Sequence, residues 1–149
     1  MKSSCSFPTL SCTLILSLIF LFSCGDRVDC QAPPPVFYFQ VKANGVTYPN
    51  SGSTSDIRIF YADGANSKTY ISDLDSYEGI FTTGALIMKS HALNNPEITV
   101  ELRGEPFAKL RLETFINTAK CQGWATVSKV YQDNKPLTPS SGNIYIITD

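Results

Sequence analysis

The chain has 149 residues, 43% of them hydrophobic and 17% charged, with 12 lysines and arginines against 13 aspartates and glutamates for a formal net charge of −1. With the two signs scattered along the chain, this balance argues against a nucleic-acid partner recognised through a basic surface. The length suits one domain with a substantial core.

The first element is the apolar run 13–22, preceded by a single charge at Lys2. About ten apolar residues fall short of the roughly 20 that a helix needs to cross a bilayer. The run therefore reads as the core of a cleaved signal peptide rather than a membrane-spanning or buried helix. Leu21-Phe22-Ser23-Cys24 follows. It resembles the processing site of bacterial lipoproteins, in which a leucine, a variable residue and a small residue precede a cysteine that takes lipid. The resemblance implies cleavage after Ser23 and an acylated Cys24, with diacylglycerol and palmitate holding the chain to the membrane. Gly25 stands where an aspartate would signal inner-membrane retention, so the implied address is the outer membrane of a bacterial envelope. The alternative is a secreted or periplasmic protein cut near Ser23 or Gly25, with Cys24 a plain thiol.

The expected organisation is a signal peptide at 1–23, a lipidated tether at 24–35 and a β domain at 36–149. Of 149 residues, removal of the first 23 leaves 126, and only Lys2 leaves the charge count. Gln31-Ala32-Pro33-Pro34-Pro35 favours a semi-rigid extended conformation, because consecutive prolines adopt polyproline II and offer no N–H to a sheet. Cys5 and Cys12 fall in the signal, so Cys30 and Cys121 are the remaining pair in an exported domain, where two thiols often form a disulfide. The alternative is an exposed Cys30 and a buried free Cys121.

From Val36 onward the pattern is β. Val36–Lys42 is aromatic and β-branched, Asn44-Gly45 suits a tight hairpin turn, and Val46-Thr47-Tyr48 returns. A Ser/Gly/Asn-rich loop leads to Ile57–Tyr61, a turn at 63–67, and Lys68–Ser72. Tyr77–Thr82 and Ala85–Ser90 are expected as short strands, the second with a two-turn helix over 85–93 as its competitor. Ile98, Val100 and Leu102 alternate with Glu97, Thr99, Glu101 and Arg103. After Gly104-Glu105-Pro106, Leu110 and Leu112 alternate with Lys109, Arg111 and Glu113, so both strands should keep one wet face. Trp124–Tyr131 is a further strand, Asp133-Asn134-Lys135-Pro136 turns the chain, and Ile144–Thr148 closes it. Strands at roughly ten-residue spacing, with no long amphipathic helix, predict an all-β antiparallel sandwich of immunoglobulin or transthyretin type, with a small barrel as alternative.

This succession resembles Bacteroidota-type lipoproteins that carry a single β domain. The likeness rests on Asn44-Gly45-Val46-Thr47-Tyr48, Ile57–Tyr61, Lys68–Asp73, Gly79-Ile80-Phe81, the charged hairpin from Glu97 to Thr114, Cys121, and Lys129–Lys135. It implies the sandwich and the export route but brings neither a ligand nor a catalytic residue. An acidic run that takes some such proteins to the cell surface is interrupted here, Arg27 standing between Asp26 and Asp29.

Candidate sites are few. Asp73, Asp75 and Glu78 place three carboxylates in a short stretch of the kind that holds Ca²⁺ weakly, although the calcium-loop spacing is missing. The same carboxylates are the material for a glycosidase pair if a cleft sets their separation. His91, the one histidine, has neither a recognisable nucleophile beside it for a triad nor a third ligand to complete a site with Cys30 and Cys121. No cofactor is implied. Tyr38, Tyr48, Tyr61, Tyr70, Tyr77, Tyr131, Tyr145 and Trp124 are strand aromatics expected mainly to pack, Trp124 in the core; several tyrosines on one side would make a binding surface. The expectation is a lipid-anchored, non-enzymatic envelope protein that interacts with a protein or glycan partner. Its competitors are a small hydrolase of envelope polymers and a purely architectural protein.

Overall fold

The computed structural model describes residues 33–49, 56–63, 67–116 and 124–149. The signal, Cys24, Cys30 and Cys121 lie outside the described residues. Among the described residues, eleven strands and one short α-helix follow in order, with a single 3-10 turn (Ser141–Asn143) before the last strand: β1 (Phe37–Ala43), β2 (Val46–Tyr48), β3 (Ile57–Asp63), β4 (Ser67–Tyr70), β5 (Asp75–Tyr77), β6 (Ile80–Thr83), α1 (Ala85–Ala92), β7 (Ile98–Leu102), β8 (Glu105–Ile116), β9 (Ala125–Gln132), β10 (Lys135–Leu137) and β11 (Ile144–Thr148).

They form two sheets, one in the order β11-β1-β6-β5 with β2 also on β1, the other β10-β9-β8-β7-β3-β4. The fold is the expected all-β sandwich. One pairing departs from the antiparallel rule: β11 runs parallel to β1, with Tyr38 opposite Ile144 and Lys42 opposite Thr148. The strands alternate as half-buried strands should. Phe37, Phe39 and Val41 of β1 face Ile57, Ile59 and Tyr61 of β3, Ile98 and Val100 of β7, and Leu110 and Leu112 of β8, with Phe81 and Ile147 in the same core. Phe39 and Phe81 stack with centroids 5.1 Å apart.

Four hairpins turn on two residues that both have positive φ: Asn44-Gly45, Glu78-Gly79, Arg103-Gly104 and Asp133-Asn134. Such turns match the right-handed twist of the strands they join. Two of them revise the sequence reading. Tyr77–Thr82 is not one strand, because Glu78-Gly79 folds it into the β5–β6 hairpin. Gly104-Glu105-Pro106 is not the turn, because Arg103-Gly104 carries it and Pro106 enters β8 opposite Glu101, next to an irregular register at Val100 and Glu101. Pro106 lies outside the part of β8 that pairs with β9, so its missing N–H costs no bond on that side.

The segment preferred as a strand at Ala85–Ser90 is instead the helix α1. The reason lies twelve residues upstream of Ala85, at Asp73. The Asp73 carboxylate accepts from the Gly84 and Ala85 amides at 2.8 and 2.7 Å and from the Thr83 hydroxyl at 2.6 Å, while Thr83 Oγ1 accepts from the Leu86 amide at 3.2 Å. Three amides that a helix start leaves unpaired are thereby satisfied. Leu86 and Ile87 enter the core, and the helix rests on β8 and β9.

Candidate functional site

Strands β3, β4 and β7 lie side by side, and their outward residues form a cluster that the sequence reading left as separate wet-face positions. Arg58 and Phe60 are two apart on β3 and so share a face. Phe60 pairs with Tyr70 on β4 and Thr99 on β7, and Arg58 pairs with Glu101. Glu101, expected on a wet face, is 2% exposed. It is covered by its neighbours: Lys68 Nζ donates to Oε1 at 2.6 Å and Tyr70 OH to Oε2 at 3.3 Å.

Lys68 spans β3 to reach Glu101, and on the way its ammonium sits 4.4 Å from the centre of the Phe60 ring. The hydrogen bond to Glu101 holds the Lys68 pKa above its ordinary value. Phe60 and Tyr70 lie 5.6 Å apart in a tilted arrangement, and the Arg58 guanidinium is 6.0 Å from the Tyr70 ring centre. The result is an aromatic ring, 44% exposed, that is braced by a ring, a carboxylate and a guanidinium. The signal available in the sequence was Phe60 itself, a large apolar side chain in phase with Arg58 rather than with Ile57 and Ile59.

A second feature lies at the start of β1. Pro35, Val36, Phe37 and Tyr38 line an open groove of about 290 Å³ together with Ile87 of α1, Thr126 and Val127 of β9, and Asn143 and Tyr145 beside or within β11. Tyr145 stacks on Phe37 at 5.1 Å, and burial raises its pKa. Around the groove, Tyr38, Trp124, Phe115 and Met88 are exposed. Trp124, expected in the core, stands 37% exposed because it precedes β9, whereas its neighbour Ala125 is fully buried.

The remaining candidates are dispersed. Asp73 is engaged at the start of α1. Burial alone would raise its pKa, but the bonds from Thr83, Ala85 and Gly84 outweigh that and lower it. Asp75 and Glu78 are exposed on β5 and its turn. Among the described residues no three His, Cys, Asp or Glu side chains gather so as to hold a metal ion. His91, at the end of α1, lies 3.3 Å from the Thr114 hydroxyl, which also donates to Asn95 at 3.0 Å. The adjacent Ser90 hydroxyl is fully buried and makes no hydrogen bond, so it is not presented as a nucleophile. The tyrosines do not share one side: Tyr61 is core, Tyr70 lies on the β3–β4–β7 face, Tyr38 and Tyr145 at the groove, and Tyr48 and Tyr131 beneath Arg103 and Arg111.

Comparison with protein-family models, with curated proteins and with solved structures gives no match. None of the three supports the expected likeness to Bacteroidota-type lipoproteins.

Proposed function

We propose that the protein is a lipid-anchored, non-enzymatic binding module of a bacterial cell envelope, held by lipid on Cys24 in the outer membrane, and that it takes a protein or glycan partner on the β3–β4–β7 face. The observation that carries this reading is the Tyr70 ring, exposed yet braced by Phe60, Arg58 and Glu101. An aromatic side chain ordered before binding loses little freedom on contact and is the usual energetic centre of a protein or sugar interface. Arg58 and Lys68 beside it supply donors to hydroxyls or carbonyls.

The test uses the chain expressed with its own signal in a Gram-negative host and extracted from membranes. The intact, non-reduced mass should match residues 24–149 plus lipid, two hydrogens lighter if Cys30 and Cys121 are bridged. The lipidated protein is then presented to an array of envelope glycans and to solubilised envelope proteins under salt and detergent controls. A specific partner whose binding falls about tenfold or more in Tyr70→Ala would support the face, since a central interface aromatic contributes at least that much. A partner that binds Tyr70→Ala and Arg58→Ala as well as the parent would overturn it.

A further inference from the structure

Ten large apolar side chains are exposed among the described residues, and six of them, Val36, Tyr38, Met88, Phe115, Ile116 and Trp124, belong to segments that the fold brings to one end of the domain. The groove brings Val36 and Tyr38 against Ile87 and Thr126, and Met88 is next to Ile87 on α1. Phe115 pairs with Thr126 and Ile116 with Ala125, while Trp124 directly precedes Ala125. This is the end at which Pro35 joins β1.

We propose that this apolar end rests on the phospholipid bilayer to which Cys24 fixes the chain; the proposal builds on the lipid-anchor reading above. Three observations select a bilayer as the occupant. First, Pro35 follows Cys24 by eleven residues, so a fully extended tether places the groove at most about 40 Å from the acylated cysteine. The apolar end is thus the part of the described domain that the shortest length of chain joins to the acylated cysteine. Second, the mixture of Trp, Tyr, Phe, Ile and Met is the composition of surfaces that bury a few ångströms into the headgroup region. Third, Lys89 on α1 and Lys129 on β9 are exposed and can meet anionic headgroups. Of the carboxylates nearby, Asp73 is engaged by Thr83, Gly84 and Ala85 and Glu113 by Arg111 at 3.0 Å, while Asp75, in line with Tyr38 through Thr82, is exposed. With that end covered, the β3–β4–β7 face, separated from β9 by β8 in the same sheet, stays open to a partner.

Trp124 is the one tryptophan in the chain, so its emission reports this end alone. The membrane-extracted protein is reconstituted into vesicles of phosphatidylethanolamine and phosphatidylglycerol, with and without brominated acyl chains. The expected result is a blue shift relative to the protein without vesicles and a loss of roughly half the emission to bromine placed near the headgroups. Phe115→Ser and Met88→Ser, both at exposed positions, should each reduce that quenching, and Tyr70→Ser should not. Unquenched Trp124 in protein whose mass shows the lipid overturns the docking and leaves the anchor intact. A mass without lipid removes the anchor, and the same full-length mature chain is then added to vesicles: quenching supports the surface and its absence overturns it. A blue shift that appears without vesicles and grows with protein concentration means that a second copy covers this end, which also overturns the proposal.

Discussion

Asp73 shows how a single side chain decides the identity of an element. Its two oxygens take three hydrogen bonds at the start of α1, so Asp73→Ala should cost about 1–2 kcal/mol, read from the urea midpoint. Because its pKa is lowered in the fold, the stabilisation is fully present above the ordinary carboxylate value of about 3.9 and is lost as the pH falls through the lowered one. In Asp73→Asn that part of the acid destabilisation should disappear from a pH series of denaturation curves. The Lys68–Glu101 pair makes a different point. Removing Lys68 leaves a carboxylate that is 2% exposed with Tyr70 as its remaining hydrogen-bond donor, whereas Glu101→Gln leaves a neutral acceptor and an ammonium already open to water. Lys68→Met should therefore lower the denaturation midpoint more than Glu101→Gln does, and the reverse order would show that the buried carboxylate does not depend on Lys68.

At the scale of elements, the strands with strict alternation and the Asn44-Gly45 turn were legible in the sequence, because both signals are local. What was not legible depended on contacts from elsewhere in the chain. Ala85–Ser90 carries apolar residues that suit a strand or a short helix equally, and the choice is made by Asp73 and Thr83 across a hairpin. Glu101 alternates as a solvent-facing residue does, yet Phe60, Lys68 and Tyr70 from two other strands cover it. Trp124 has the size of a core residue, but Ala125 takes the inward position beside it and alternation turns Trp124 outward. The calcium expectation at Asp73, Asp75 and Glu78 counted carboxylates by spacing, whereas the fold spends one on the helix and leaves two on an edge hairpin. The two sheets are also joined through one side chain, from the end of β9 to the end of β11, in a way no spacing reveals. The Gln132 amide donates to the Thr148 carbonyl at 2.5 Å and accepts from the Thr148 amide at 3.3 Å, the pair of bonds a neighbouring strand would make. Gln132→Ala should accelerate hydrogen exchange at the Thr148 amide and cost about 1 kcal/mol. In the β9–β10 turn, Asn134 has φ +65°, so Asn134→Gly should be neutral or stabilising by roughly 0.5 kcal/mol, measured by the same denaturation.

At the scale of the whole molecule, the sandwich has two differently equipped regions: an apolar end around the start of β1 and a braced aromatic face on β3, β4 and β7. Their separation gives the proposed arrangement a simple check. Substitutions at Phe115 or Met88 should alter membrane association and spare partner binding, and Tyr70→Ala should do the opposite; a variant at either place that removed both activities would show that the two regions do not act independently.

The parallel pairing of β1 with β11 sets the order in which this domain is assembled. The segment made first in the sandwich takes one of its neighbours from the segment made last, with Tyr38 opposite Ile144 more than a hundred residues on. Closing so long a loop is entropically costly and slow. Until β11 emerges, β1 keeps an unfilled edge, so the sheet of β11, β1, β6 and β5 cannot close before the last strand of the sandwich has been made.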